Sequence, residues 1–189
     1  MKLVILDRDG TINVDSDEYV KSPEEWIAIP GALEGIARLN HAGWHVALAS
    51  NQSGLGRGLY DIAALNAMHA KMHKALAAVG GRIDAVFYCP HTPDEGCRCR
   101  KPAPGLFEQI GERFGVDLKL VPAVGDTLRD LEAGVAVGCQ PHLVLTGKGG
   151  PLRGQPLPPD YPPNTTVHND LGAFADWLIA RAPAPRANA

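Results

Sequence analysis

The sequence predicts an α/β fold: a central parallel sheet with helices on both faces, in three Rossmann-like layers. Two observations carry that prediction. Short apolar runs of strand character alternate with longer helix-like runs. Polar clusters follow several of the apolar runs, which is how an open α/β sheet builds a single crevice at its strand ends. The runs are, in order, strand 2–7, helix 31–42, strand 44–50, helix 61–79, strand 83–88, helix 104–114, strand 121–126, helix 128–137 and strand 141–145.

The boundaries follow from local chemistry. Helix 31–42 opens at Pro30-Gly31 and stops at Gly43, helix 61–79 stops at Gly80-Gly81, and helix 104–114 opens across Pro102 to Gly105 and stops at Gly115. Proline pre-sets the backbone of a first helical turn, and glycine accepts the left-handed residue that ends one. Residues 148–163, rich in Gly and Pro, read as a long loop. A short strand at 166–168 and a helix at 170–181 complete a single domain over 1–181. The tail 182–189 is expected to be disordered.

Composition narrows the function. With 45% hydrophobic residues the chain can build a core, and a net charge of −3 with mixed signs offers no basic field for nucleic acid. No apolar run reaches the ~18–20 residues of a membrane span, and the chain enters its first strand without a signal-peptide core. A cytoplasmic monomer acting on a small molecule is expected. Three of the four cysteines fall between positions 89 and 99, a clustering that favours a metal over a disulfide framework.

The sharpest feature is Asp7-Arg8-Asp9-Gly10-Thr11, directly after Leu3-Val4-Ile5-Leu6. Residues i and i+2 of a strand share a face, so Asp7 and Asp9 lean toward one reacting centre. Two carboxylates that close need a cation between them or a proton on one. That suits a hydrolase with one carboxylate as nucleophile and the other as acid and base. A lone D-x-D-G is more often a plain turn or a cation loop. Here it has company: Ser50-Asn51-Gln52 after strand 44–50, Lys101 after the cysteine cluster, and Gly125-Asp126 after Val121–Val124, with Asp130 four residues on.

Asp7-x-Asp9-Gly10-Thr11, Ser50, Lys101 and Gly125-Asp126…Asp130 together resemble, in order, the four motifs of the haloacid-dehalogenase (HAD) phosphatases. Within them, Cys89-Pro90-His91…Cys97-Arg98-Cys99-Arg100-Lys101-Pro102 is similar to a zinc-loop subgroup that includes the heptose 1,7-bisphosphate 7-phosphatases and the histidinol-phosphate phosphatases. Asp7 to Asp15, Asn51-Gln52-Ser53-Gly54…Arg57-Gly58 and Thr146-Gly147-Lys148 look more like the heptose enzymes. The zinc loop is shorter than in many of those, and Thr127 stands where both groups often carry Lys or Arg. The spans 10–49 and 51–100 leave no room for an inserted cap domain, so an open site is expected.

The resemblance implies a magnesium-dependent phosphatase working through an aspartyl phosphate. Asp7 is the nucleophile, and Asp9 gives a proton to the leaving group and later takes one from water. Mg²⁺ is held by Asp7, Asp126 and the backbone carbonyl of Asp9, whose side chain stays free, and Asp130 is a neighbour or a further ligand. Ser50 and Lys101 stabilise the phosphoryl oxygens. Cys89, His91, Cys97 and Cys99 supply the three thiolates and one imidazole of a closed structural Zn²⁺ site, which steadies the loop 89–101. Candidate substrate contacts are Asp15, Ser16, Asp17 and Glu18 in the first loop, Ser50, Asn51 and Gln52 at and after the end of strand 44–50, Ser53 and Arg57 in a flexible glycine loop over 53–58, and Arg100 and Lys101. The implied substrate is a sugar phosphate, heptose 1,7-bisphosphate for surface-glycan or lipopolysaccharide synthesis, with histidinol phosphate as the alternative. Cys139, the leftover thiol, reads as a small core residue, and His41, His45, His69, His73, His142 and His168 read as surface or core histidines with no evident partner.

Overall fold

The computed structural model describes residues 1–181; the tail expected at 182–189 lies outside the described residues. Six strands form one parallel sheet, β1 (Lys2–Leu6), β2 (Trp44–Asn51), β3 (Ala85–Cys89), β4 (Pro122–Gly125), β5 (Gln140–Val144) and β6 (Thr166–His168), in the order β3-β2-β1-β4-β5-β6. The helices are α1 (Ala32–His41), α2 (Ser53–Gly56), α3 (Ile62–Ala78), α4 (Gly105–Phe114), α5 (Leu128–Val135) and α6 (Leu171–Arg181).

Period-two alternation along the strands explains the layers. Val4 and Leu6 of β1, with Val46, Leu48, Val124 and Val144, pack under α1, α3 and α6. Leu3 and Ile5, with Ala47, Ala49 and Ala123, face the opposite way, under Leu106, Phe107 and Ile110 of α4 and Ala133 of α5. Both faces of β1 are therefore dry, and each aliphatic side chain buried there contributes ~1.5–3 kcal/mol.

The predicted elements form close to their expected bounds. β3 starts at Ala85 rather than 83, because the Asp84 carboxylate takes the Val46 N–H that a backbone carbonyl would otherwise accept. The long loop 148–163 begins with a 3₁₀ segment, Gly147–Leu152. The stretch expected to be a flexible glycine loop is instead the helical turn α2, with Ser53 and Gly54 buried.

The strand order reverses between β1 and β4, which are paired neighbours although α1, β2, α2, α3, β3 and α4 lie between them in sequence. A crevice opens at the carboxyl ends of the strands at such a reversal. Leu6 pairs with Leu48 and with Val124, so the residues following β1 and β4 and the last turn of β2 emerge at one height. Between β1 and α1 the described residues form no helix or named strand, only isolated bridges of Asn13 with Asp9 and with Ala28.

Candidate active site

Three carboxylates, Asp7 after β1, Asp126 after β4 and Asp130 in α5, bring oxygens within 4.8 Å of one another. Glycine makes the approach possible. Gly10 has φ +80°, and a Cβ there would overlap the Asp126 carboxylate; one on Gly125 would overlap Asp130. Lys101 reaches into the cluster, with its ammonium 2.8 Å from Asp7, 2.7 Å from Asp130 and 2.6 Å from the Ala49 carbonyl. Its side chain is only 2% exposed. The Asn51 side chain fixes the lysine's backbone by donating to its carbonyl (3.1 Å) and accepting from its N–H (3.0 Å). Thr127 caps α5 and aims Asp130, whose Oδ2 accepts from the Thr127 hydroxyl (2.7 Å) and N–H (3.0 Å). The Lys148 N–H donates to Asp126 Oδ2 at 2.8 Å.

Three carboxylates against one ammonium leave an excess of negative charge in a dry place, and the proton affinities record it. Burial, then the Asp130 charge, lifts Asp7 to about 7 despite Lys101. Burial, then the charges of Asp7 and Asp130, lifts Asp126 to about 8. Burial opposes the Lys101 charge, but Asp130 and Asp7 outweigh it and raise its pKa. Asp126 Oδ1 is buried without a hydrogen-bond partner, as an oxygen kept for a cation would be. An all-oxygen donor set with an excess charge of about −2 fits a hard divalent ion such as Mg²⁺.

The Asp9 side chain, expected to stay free of the metal, lies outside the cluster of Asp7, Asp126 and Asp130 and is held by other side chains. The Arg8 guanidinium forks onto it (2.9 and 3.1 Å from Nη2 to the two oxygens), Asn13 donates at 2.8 Å and Gln52 at 2.9 Å. Burial works against this carboxylate, but the Arg8 charge and the hydrogen bonds from Asn13, Arg8 and Gln52 outweigh it and hold its pKa below 3.8. The cause is local. The strand ends at Leu6, Arg8 turns inward, and a guanidinium buried at 0% exposure needs a counter-charge. Gln52 is a hub, also donating to Ser50 Oγ (2.8 Å) and accepting from the Tyr60 hydroxyl (2.5 Å).

The cavity over this centre, about 200 Å³, is lined by Asp7, Asp9, Asp126, Asp130 and Lys101 at its floor, and by Asp15, Ser16, Asp17, Asn51, Gln52, Ser53 and Arg100 among those foreseen from sequence. Glu18, Ser50 and Arg57 do not line it; Arg57 lies over the Tyr19 ring, 5.9 Å from its centroid, instead. Arg8, Asn13, Tyr60, Arg129 and Lys148 were not singled out as site residues, although Asp7 to Asp15 and Thr146-Gly147-Lys148 carried the resemblance.

Cys89, His91, Cys97 and Cys99 converge beside the cavity. The sulfur–sulfur distances are 3.5 Å (Cys89 to Cys97) and 3.6 Å (Cys97 to Cys99), and His91 Nδ1 lies 3.4 Å from Cys89 and 3.3 Å from Cys99. All four cysteines are unbridged. A tetrahedron with ~2.3 Å metal–sulfur bonds has edges of about 3.8 Å between sulfurs, slightly less to nitrogen, so the donor set and its spacing fit zinc.

The histidines are less isolated than the sequence implied. His69 Nε2 lies 3.3 Å from Arg8, and His142 Nδ1 lies 3.0 Å from His168 Nε2 in an aromatic cluster with Phe174 and Trp177.

Comparison with known proteins agrees with this geometry. Residues 2–127 match the Polynucleotide kinase 3 phosphatase family model, and residues 98–173 match a HAD-hydrolase-like model. D-glycero-beta-D-manno-heptose-1,7-bisphosphate 7-phosphatase of Bordetella bronchiseptica is 58% identical over 96% of this chain and 100% of its own length. The chain belongs to that phosphatase family, within the HAD-like fold. The enzyme of the same name from Pseudomonas aeruginosa is 55% identical over 94% of this chain and 97% of its own. The crystal structure of the B. bronchiseptica D,D-heptose 1,7-bisphosphate phosphatase, complexed with magnesium and phosphate, superposes with a TM-score of 0.92 over 96% of this chain and all of that one. A Burkholderia thailandensis relative, 54% identical, gives 0.72 over 94% of this chain and 99% of its own.

Proposed function

We propose that the protein removes the 7-phosphate of D-glycero-beta-D-manno-heptose 1,7-bisphosphate and leaves heptose 1-phosphate, feeding nucleotide-activated heptose synthesis for lipopolysaccharide or another surface glycan. The observation that carries this is the convergence of Asp7, Asp126, Asp130 and Lys101 in one small cavity of a chain 58% identical to a phosphatase of that name. A cytoplasmic, monomeric, single-domain enzyme over 1–181 goes with it, and sedimentation of the purified protein tests the monomer.

Asp7, Asp126 and Asp130 would hold Mg²⁺, which neutralises phosphoryl oxygens and so lets an anion be attacked by a carboxylate. Asp7 attacks phosphorus in line, and the leaving alkoxide departs as the aspartyl phosphate forms. Lys101 stabilises the phosphoryl charge and keeps Asp7 aimed; Ser50, whose hydroxyl accepts from Gln52 and which does not line the cavity, would join it only through a shift of Gln52. Asp9 in its Arg8 pair is a carboxylate, ready to take the proton of the water that cleaves the intermediate. To act first as acid it must hold a proton, and the incoming phosphate dianion raises its pKa for that purpose. Zinc held by Cys89, His91, Cys97 and Cys99 stiffens the loop that carries Arg100 and Lys101.

Phosphate release with Mg²⁺ from the heptose bisphosphate and from histidinol phosphate, compared as kcat/KM, tests the assignment. A preference of at least a hundredfold for the heptose is expected, and the reverse preference would overturn it.

A further inference from the structure

The Asp9 carboxylate is held mostly by its own loop. Its donors Arg8 and Asn13 belong to the turn that carries it. Among the described residues, Gln52 is the one side chain from another element that donates to it, 2.9 Å from Nε2 to Oδ2. Gln52 therefore ties Asp9 to the sheet, because its backbone N–H, just past β2, donates to the Cys89 carbonyl at the end of β3 (2.8 Å).

A glutamine is a weak tie unless something fixes its amide. Ordering the side chain costs ~1.5–2 kcal/mol, and the oxygen and nitrogen ends are nearly equal in shape. The amide oxygen has two neighbours. Arg8 Nη2 stands at 3.4 Å, beyond the usual hydrogen-bond range, and the other arm of that guanidinium lies against His69. The Tyr60 hydroxyl stands at 2.5 Å. Burial lifts Tyr60 to about 12, so it stays a phenol and donates. With the oxygen taken by Tyr60, the amide hydrogens turn the other way, one to Asp9 and one to Ser50 Oγ. Tyr60 is itself well anchored. It precedes Asp61, which caps α3 by accepting from the Ala64 N–H, and its ring packs over Gly54, where a Cβ would overlap it.

We propose that Tyr60 is a positioning residue for proton transfer: through Gln52 it holds the Asp9 carboxylate at the place from which the leaving alkoxide is protonated. In that step the Asp7–phosphorus bond forms, the ester P–O bond breaks and the Asp9 proton passes to the departing oxygen. Water then returns a proton to Asp9 as its oxygen attacks phosphorus and the Asp7 bond breaks. The role rests on the reading of Asp9 as acid and base. A misplacement of ~1 Å costs up to ~10²-fold in rate. The sequence did not single out Tyr60, because its hydroxyl returns to Gln52, eight residues back, only once the turn α2 has folded.

The test sets an alkyl ester, whose alkoxide needs that proton, against p-nitrophenyl phosphate, whose phenolate leaves without one. The alkyl ester is heptose 1,7-bisphosphate, or histidinol phosphate if the enzyme prefers it, so a failed heptose assignment leaves the test standing. Y60F, which removes one oxygen, is expected to lower the alkyl-to-aryl ratio of kcat/KM at least fivefold, with the alkyl loss in kcat and KM within twofold. The aryl rate also reports that the site is still folded. The near-isosteric Q52M should show the same selectivity, and Y60F/Q52M should lose no more than Q52M alone. A smaller change in the ratio, a loss carried by KM, or losses that multiply in the double variant overturn the role. Asp9→Asn reads the parent assignment separately. If it loses far more on the alkyl ester while the Y60F ratio stays put, Tyr60 alone is struck; if it loses equally on both esters, Asp9 is not the acid and the role of Tyr60 falls with it.

Discussion

Binding of Mg²⁺ should be coupled to proton release, and the coupling can be worked from the acid cluster. In the metal-free protein Asp7 titrates near 7 and Asp126 near 8, both raised chiefly by burial. Both must be ionised to hold the ion. At pH 8 binding displaces less than one proton from the pair, whereas at pH 6 it displaces nearly two. Treated as independent sites, the two carboxylates weaken apparent affinity between pH 8 and pH 6 by on the order of 10²–10³-fold, or roughly 4 kcal/mol. The sign for stability runs the other way in the metal-free protein. The folded pKa values lie above the unfolded value of 3.8, so the stabilisation from these groups is complete below pH ~4 and disappears as pH rises through 7 and 8. Calorimetric titration of Mg²⁺ at pH 6, 7 and 8, in buffers of different ionisation enthalpy, counts the protons. Thermal melts with and without chelator across the same range give the stability. A dissociation constant constant within threefold from pH 6 to pH 8, with no buffer-dependent heat, would refute the crowded-carboxylate picture.

Other perturbations follow from the same contacts. Lys101→Met removes a buried partner of two carboxylates and should lower kcat by ~10²–10³-fold. Its loss of stability should be greater at pH 8 than at pH 6, where protons replace the missing charge; an equal loss at both pH values would contradict the ion-pair account. Cys97→Ser, or a zinc-selective chelator, should raise amide exchange across 89–101 and reduce kcat/KM while the sheet stays protected, and exchange unchanged in that loop would remove zinc from the explanation. Burial lowers His142 to about 3 and His168 to about 4, helped by each histidine's cationic neighbour. Their folded values lie below 6.5, so their contribution is intact above pH ~6.5 and lost as pH falls toward 4. The His142→Leu/His168→Leu double variant should therefore lose less of its Tm between pH 7 and pH 5 than wild type, and parallel melting curves would count against it.

The sequence was most legible where chemistry sits at strand ends. Asp7, Asp126 and Lys101 are far apart in the chain, yet each follows an apolar run or the cysteine loop, and a parallel sheet brings such positions together. The Cys-His spacing was legible for the same reason, as four soft donors within one loop. The partners of Asp9 were not legible because alternation stops where the strand stops: past Leu6 the chain turns toward Gly10, and the Arg8 guanidinium folds onto the neighbouring carboxylate. Asn51 and Gln52 stood out as polar residues, but their work is on Lys101 and Asp9, which only the paired geometry reveals. His142 and His168 needed the strand order, since β5 and β6 become neighbours through pairing and not through any local pattern. The helical turn at Ser53–Gly56 was hidden by its glycines, which favour a loop until Tyr60 packs over Gly54.

Acid-quenched single turnover of the Mg²⁺-loaded enzyme with heptose bisphosphate, followed by peptide mass analysis, bears most directly on the proposed chemistry. A phosphoryl group on Asp7, labile to hydroxylamine and missing in Asp7→Asn, is the expected result. Phosphate released at the wild-type rate by Asp7→Asn, or a label on any other residue, would contradict it.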